Sequence, residues 1–368
     1  MHLAVTTVAA ANVALAQASN TLLYGAMILY TGAFVAFAAE WASARRGADH
    51  SARPVQVPDA VTRPRPVAAF AAAGAVREAG GGVDLPASAD LTAPPAPVGA
   101  AAGGATAAAP AVPSGRAARI GRVGVALTAV ALVGHAASVV LRGLSVGRLP
   151  WGNMFEFSTA ASLAMTLVFV GLLARGRPVR YLGVFVTGIV LLVLGLAVTV
   201  LYTQADQLVP ALKSVWLGIH VTAAILSVGL FTVGFIQTVL YLARDARDRR
   251  EPQARRPSWL DRLPTAEALD RAAYRVHAFV FPLWTFAIMA GAIWAENAWG
   301  RYWGWDPKEV WSFVTWVAYA AYLHARATAG WRGRKAAYLA IAGFATIIFN
   351  YFVVNIWLVG YHSYAGIG

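Results

Sequence analysis

Residues Tyr181–Leu201 read YLGVFVTGIVLLVLGLAVTVL, a run of 21 residues without a charged side chain. A helix needs ~20 mostly apolar residues to cross a hydrocarbon core that is ~30 Å thick. This stretch therefore predicts a transmembrane helix. If other segments of the chain have the same pattern, the whole protein is a membrane protein with several spans.

Seven other stretches do repeat it, so we predict an all-α, polytopic membrane protein with eight spans. The fifth span is long and the seventh is short, which favours tilted helices. The predicted spans are Asn20–Glu40, Ile120–Leu141, Phe155–Ala174, Tyr181–Leu201, Val215–Leu242, Val276–Ala295, Val310–Ala325 and Ala336–Val359.

The composition agrees, because 58% of the 368 residues are hydrophobic and only 13% are charged. An average soluble domain carries about 25% charged residues, so a soluble enzyme of this length is excluded. The chain has no cysteine. A disulfide scaffold, a cysteine-based zinc site and a thiol nucleophile are thereby excluded as well.

A net charge of +13 is compatible with nucleic-acid binding, but the positions of the charges indicate that they set the membrane topology. Of the 30 Lys and Arg residues, 25 fall in the stretch Trp41–Arg122 or in the loops after the third, fifth and seventh spans. Basic loops stay in the cytoplasm. We therefore expect a multi-pass protein of the cell membrane with both termini outside and no nucleic-acid partner. Residues 1–19 have no positive n-region, so no cleavable signal peptide is expected.

The segment between the first two spans, Trp41–Arg119, is rich in Ala, Pro, Gly and Arg and nearly free of aromatic residues. Such a segment cannot bury enough apolar surface to order itself. We predict an N-terminal transmembrane helix at residues 1–41, a disordered cytoplasmic linker at 42–119 and a seven-helix membrane domain at 120–368. A poly-alanine helix is the weaker alternative, because the prolines oppose it.

The loop between the sixth and seventh spans, Trp294–Trp311, reads WAENAWGRYWGWDPKEVW and holds five of the 13 tryptophans. An interfacial aromatic belt is one explanation, but a belt places only one or two aromatics at a helix end. Glycines allow a close backbone approach, and planar side chains build an apolar slot. Asp306 and Pro307 suit the start of the next helix. With Arg301 and Lys308 beside it, the loop predicts a pocket for a flat, apolar molecule with an anionic edge.

Residues Trp299–Trp311 resemble the WWD signature of haem-handling proteins, and the ending Asp-Pro-Lys-Glu is similar to the CcsA/ResC-type (System II) branch of cytochrome c biogenesis proteins. The resemblance extends over residues ~120–368. Five further pieces agree with it: LPWGNMFEF at 149–157, WLGIHV at 216–221, YLHAR at 322–326, GWRGR at 330–334 and HSYA at 362–365.

The resemblance implies haem b as the cofactor, with His220 and His362 as the two axial iron ligands at the external face. Imidazole is a natural axial ligand for haem iron. Taken singly, an interfacial histidine is the simpler interpretation of each. The haem pocket that the resemblance implies consists of Trp216, Trp299, Trp303, Trp305, Asp306 and Trp311.

His324 lies 13 residues beyond Trp311, a helical rise of ~20 Å, and so near the cytoplasmic side. The resemblance implies a second, inner haem site there, with the other iron ligand supplied by a CcsB/ResB-like membrane subunit. A polar contact between helices is the alternative role for His324.

Three other residues have weaker indications. His135 and His277 are interpreted as structural, with His135 the more plausible accessory. Glu156 either stabilises the start of the third span by its charge or lines the haem slot with Trp151 and Asn153.

The resemblance implies that the chain is a subunit of a cytochrome c synthase of the haem lyase type that acts on apocytochrome c. It also implies a thioredoxin-like thiol reductant as a further partner. Because this chain has no cysteine, both reacting thiols must come from the apocytochrome. A haem carrier or scaffold without synthase activity is the first alternative. A transporter of another hydrophobic solute is the second, although it predicts inverted repeats that the sequence does not show.

Overall fold

The computed structural model describes residues 2–51, 115–205, 214–250, 258–328 and 330–362, with side chains in the first range from Val13 to Ser43 only. In these ranges the chain forms α-helices and short 3-10 turns without a strand, which confirms the all-α prediction. The helices are α1 His2–Ser51, α2 Gly115–Val146, α3 Met154–Ala174, α4 Gly183–Thr199, α5 Val215–Asp248, α6 Ala266–Trp299, α7 Pro307–Ala327 and α8 Arg334–Trp357.

Among the described helices, seven are long and apolar enough to cross a membrane, and each contains most of a predicted span. The protein is therefore a polytopic membrane protein. The remaining helix, α7, contains the predicted span Val310–Ala325. Its 21 residues suffice in length, but its Trp, Tyr, Ser and Thr side chains lower its hydropathy.

Several helices run beyond the predicted spans, because caps and ion pairs rather than hydropathy decide where they end. In α5, the pair Arg244–Asp248, with 3.0 Å between nitrogen and oxygen, supports a polar turn beyond the apolar stretch. Helix α6 begins after the capping residue Thr265 and ends at Gly300, whose φ of 68° lies in the left-handed region.

Two apolar cores hold the described helices together. The first core joins α1 to α3 and α4, where the ring of Phe37 packs into the space beside Gly183 and meets Phe169 edge-on. The second core lies among α5, α6, α7 and α8, with Phe231 stacked on Tyr319. This packing brings the beginnings of α3, α5 and α7 and the ends of α6 and α8 to one end of the bundle.

The predicted linker at residues 42–119 lies largely outside the described residues, because residues 52–114 are not described. Its disorder therefore stays a prediction. Helix α1 continues to Ser51 and α2 begins at Gly115, so both ends of the predicted linker are helical.

Candidate functional site

A cavity opens at the end of the bundle where α6 ends and α7 begins. It contains about 1370 Å³ of space free of protein atoms, part of it open to solvent. Helices α3, α5, α6, α7 and α8 all contribute to its walls, so it is not built by the Trp-rich loop alone. The apolar lining includes Trp151, Ala224, Val228, Trp284, Ile288, Trp294, Trp303 and Ile347. The polar lining includes Asn153, His220, Lys308, Glu309, Ser312, Asn350, Asn355 and His362.

His220 enters this cavity from the second turn of α5. Its Nδ1 lies 2.7 Å from the carbonyl oxygen of Ala287 on α6. A carbonyl oxygen only accepts hydrogen bonds, so Nδ1 carries the hydrogen and Nε2 keeps its lone pair. The helix contact thus fixes both the tautomer and the direction of the imidazole ring.

His362 reaches the same cavity from the segment after α8. Its Nδ1 lies 2.8 Å from Oδ2 of Asp306, which is buried. The other carboxylate oxygen of Asp306 accepts the backbone N–H of Tyr361 at 2.6 Å. Asp306 thereby holds this segment against the start of α7 and leaves Nε2 of His362 as the unoccupied ring nitrogen.

The charge of Asp306 suits this task. Burial acts against the ionised carboxyl, but the hydrogen bonds from His362 and from the backbone N–H groups of Tyr361 and Lys308 outweigh it. The pKa of Asp306 is therefore held below its ordinary value. The residue also caps α7 as predicted, in a capping box with Glu309.

Two tryptophans fill the space around the histidine pair. Trp294 is fully buried, and its ring lies parallel to that of His220, with 6.2 Å between centroids. The same ring meets His362 edge-on at 5.7 Å. Trp299 meets His362 edge-on at 5.0 Å. Trp294 thus contacts both histidines, although the sequence analysis did not single it out as a site residue.

The spacing of residues along α6 could have indicated the role of Trp294. Ala287, Gly291 and Trp294 share one face of the helix, and all three face His220. A Cβ atom at Gly291 would lie 2.7 Å from Nδ1 of His220, which is closer than real Cβ contacts come. The glycine therefore makes room for the histidine.

The loop glycines serve a different purpose from the one the sequence suggested. Gly300 ends α6 in the left-handed conformation, and Gly304 provides the space in which the guanidinium of Arg301 lies. Arg301 stacks on Tyr361 with 4.6 Å from Cζ to the ring centroid. Gly300, Gly304 and Arg301 are all absent from the cavity lining.

The other predicted pocket residues divide into two groups. Trp303 lines the cavity together with Tyr302. Trp305 is 70% exposed with a φ of 59°, and Trp216 is also exposed at the start of α5. Trp311 packs on Phe349 at 3.9 Å between ring centroids. Trp216, Trp305 and Trp311 therefore lie near the cavity without lining it.

The remaining histidines lie elsewhere in the bundle. His324 is exposed near the end of α7. Because α7 is continuous from Trp311 to His324, the predicted separation of ~20 Å follows from its helical rise. His135 and His277 are fully buried against Tyr30 and Thr238, respectively, away from the cavity lining.

Glu156 lies in a buried ion-pair cluster and does not line the cavity. Its carboxylate is fully buried and pairs with Arg142 at 3.0 Å and with Arg148 at 2.7 Å. It also accepts the backbone N–H of Gly152 at 2.8 Å. Asn153, which does line the cavity, caps α3 through the backbone N–H of Glu156. Of the two roles considered for Glu156, the geometry favours stabilising the start of α3.

Residues 151–362 of this chain match the family described as cytochrome C assembly protein. The match begins at Trp151 and ends at His362, both of which line the cavity. The chain is 36% identical over 284 residues to a cytochrome c biogenesis protein CcsA from Synechococcus elongatus, covering 66% of this chain and 87% of that protein. A protein of the same name from Guillardia theta is 34% identical over 258 residues, covering 66% and 85%. Another from Gloeobacter violaceus is 32% identical over 292 residues, covering 66% and 86%.

Proposed function

The chain belongs to the cytochrome c assembly protein family and serves cytochrome c biogenesis, and from this premise we propose that it holds haem b between His220 and His362 and attaches it to apocytochrome c. One observation carries the proposal. The two histidines come from distant parts of the chain, line one cavity, and each has its Nδ1 already hydrogen-bonded to an acceptor.

The donor set suits haem iron. A histidine ligand donates its second ring N–H to a carbonyl or carboxylate, which fixes the ring and raises its basicity. Ala287 and Asp306 provide these acceptors for His220 and His362. The apolar part of the lining, which includes Trp284 and Ile347, suits the macrocycle.

The chemistry of attachment divides between the two proteins. Haem supplies two vinyl groups, and the Cys-x-x-Cys-His segment of the apocytochrome supplies two thiols. Each sulfur bonds to one vinyl carbon and its proton goes to the neighbouring carbon, so nothing leaves and no external oxidant is consumed. The residues of this chain hold and orient the iron, which provides the gain from proximity. Before the thiols add, the apocytochrome histidine would displace His220 or His362 from the iron.

The cavity rim offers a docking surface for the apocytochrome. Tyr302, Trp305 and Tyr361 are exposed there, and Trp305 adopts a left-handed backbone conformation that is uncommon for a bulky residue. Exposed aromatic side chains of this kind are enriched where proteins bind partners. We assign Trp305 to this surface rather than to the haem pocket.

A second haem site at His324 forms the other half of the proposal. His324 is exposed on α7, where a ligand from a CcsB/ResB-like subunit can approach the same iron. The core between His324 and the cavity is filled, with Phe231 and Tyr319 stacked at 4.0 Å. This packing favours two separate sites, an inner one for loading and an outer one for attachment.

The proposed topology places the Trp-rich loop and both termini outside and the basic loops in the cytoplasm. The fold supports it, because α5 and α7 end, and α6 and α8 begin, at the end of the bundle opposite the cavity. The two basic segments that include these helix ends, 243–275 and 326–335, carry 13 of the 30 Lys and Arg residues. A thioredoxin-like reductant outside the membrane would keep the apocytochrome thiols reduced.

The Gly291→Ala substitution should disturb the proposed iron site without touching a ligand. The added methyl group displaces the His220 ring, so we expect haem affinity to fall about 10- to 100-fold, as when a group that orients a metal ligand is lost. Haem titration followed by absorbance measures this. The control is Gly195→Ala in α4, where nothing lies within 4 Å of the new Cβ. Equal affinities in the two variants would contradict the assignment of His220.

Reconstitution tests the attachment activity itself. The purified chain, with and without its CcsB/ResB-like subunit, is loaded with haem and mixed with reduced apocytochrome c. We expect haem that stays on the cytochrome after denaturation, which reports thioether bonds. Transfer without covalent attachment would reject the synthase and leave the carrier alternative. Failure to bind haem at all would reject both.

A further inference from the structure

We propose that Lys308 binds one carboxylate group of the cavity ligand, an inference that rests on the proposed function because haem carries two propionates. Lys308 lines the cavity from the first turn of α7. Its Nζ donates to the backbone oxygen of Asn350 at 3.1 Å and to Oδ1 of Asn355 at 2.8 Å. An ammonium group has three hydrogens, so one donor remains for a ligand.

No carboxylate of the described residues forms a direct ion pair with Lys308, and Asp306 attracts its ammonium group only from a longer distance. Over the described residues, no carboxylate oxygen lies within the 4.0 Å of Nζ that defines an ion pair. An ammonium group withdrawn from water is unfavourable unless an anion pairs with it. The free hydrogen and the unpaired charge both point to an anionic ligand group.

The two nearby acidic residues are committed to other contacts. Asp306 accepts from His362 and from backbone N–H groups. Glu309 uses Oε2 to accept the backbone N–H groups of Gly304 at 2.8 Å and Asp306 at 3.0 Å. Both carboxylates therefore fix the loop and the start of α7, and neither pairs directly with Lys308, although Oε1 of Glu309 takes no part in these contacts.

The polar end of the cavity is incomplete without further atoms. Among the described residues, Oε1 of Glu309 and Oδ1 of Asn350 are buried acceptors without a protein partner. Both residues belong to the cavity lining beside Lys308. A carboxylate on the ammonium, with water donating to the two acceptors, would satisfy this end.

The geometry also decides between the two cations that the sequence left open. Arg301 stacks its guanidinium on Tyr361 and Trp299 and does not line the cavity. Only Lys308 of the pair faces the ligand space. The assignment therefore makes Lys308 a specificity residue for ligands with an acidic edge.

Comparison of haem with its dimethyl ester, in which both propionates are capped, tests this assignment. We expect the wild-type protein to bind haem about 10- to 100-fold more tightly than the ester, the range that one charge-assisted hydrogen bond provides. Lys308→Met should remove most of that preference and keep the low-spin spectrum of a six-coordinate iron. Lys335→Met, at an exposed lysine in the first turn of α8, at the end of that helix far from the cavity, is the matched control and should keep the preference.

Two results would overturn the proposal. One is a Lys308→Met variant that still prefers haem over the ester as strongly as the wild type. The other is a wild-type protein that binds both equally, which needs no variant to fold. Failure of the proposed function would give a different result, because the wild-type protein would then show no low-spin spectrum with either ligand.

Discussion

Replacing either His220 or His362 by alanine should lower the affinity for haem. The decrease should exceed the roughly 10- to 100-fold that follows the loss of a group that only orients a metal ligand. Each substitution removes an iron ligand whose ring is oriented by a hydrogen bond, to Ala287 or to Asp306. The haem that remains should be five-coordinate and high-spin. Absorbance of the purified variants at equal protein concentration measures both effects.

Two controls separate ligation from folding. His324 lies ~20 Å along α7 from Trp311. When haem is loaded directly into the outer site, His324→Ala should therefore keep the wild-type absorbance spectrum. Added imidazole should restore the low-spin spectrum to His220→Ala and His362→Ala, since it fills the vacated position. If both variants keep wild-type haem content and spectrum, the histidine pair does not ligate the iron.

The second large effect is on stability. Glu156→Gln should destabilise the protein by about 3–5 kcal/mol, because it leaves a buried positive charge without its carboxylate. Arg142 is buried like Glu156, and its remaining described hydrogen bond is to the backbone oxygen of Thr203 at 2.6 Å. Thermal unfolding in detergent, followed by size-exclusion chromatography, measures the change.

Glu267→Gln is the matched control, because Glu267 is exposed in the first turn of α6. Its contact with the helix dipole is worth about 0.3–1 kcal/mol. An equal shift in unfolding temperature for both variants would show that the Glu156 cluster contributes no more than a surface carboxylate.

The sequence predicted the helices well because apolar runs of spanning length leave few alternatives in a membrane. It did not predict their ends. The turn that extends α5 beyond Leu242 depends on the ion pair of Arg244 with Asp248, and a hydropathy window does not register such pairs. The same limit applies to α6, whose caps Thr265 and Gly300 lie outside the apolar window.

 Gly300 and Thr265 act through backbone geometry and hydrogen bonds, neither of which hydropathy measures.

The candidate site was predicted in part. The order of the motifs pointed to His220 and His362 through a family resemblance, and the structure brings both to one cavity. The roles of Trp294 and Gly291 were missed, because they depend on how α6 faces α5. The role of Asp306 was also incomplete, because its bond to His362 joins segments that are 56 residues apart.

The choice between Arg301 and Lys308 shows the same limit. Both are cations of one short loop, and charge alone does not distinguish them. Packing does, because Arg301 lies over aromatic rings outside the lining while Lys308 faces the cavity. Side-chain direction in an irregular loop depends on tertiary contacts that a single sequence does not display.

Electron paramagnetic resonance of the wild-type protein loaded with ferric haem reports the iron ligands themselves and so tests ligation by His220 and His362. We expect the low-spin signal of an iron with two imidazole ligands, as the free Nε2 atoms of His220 and His362 require. A high-spin five-coordinate signal, or a low-spin signal from any other ligand pair, would contradict ligation of the iron by His220 and His362.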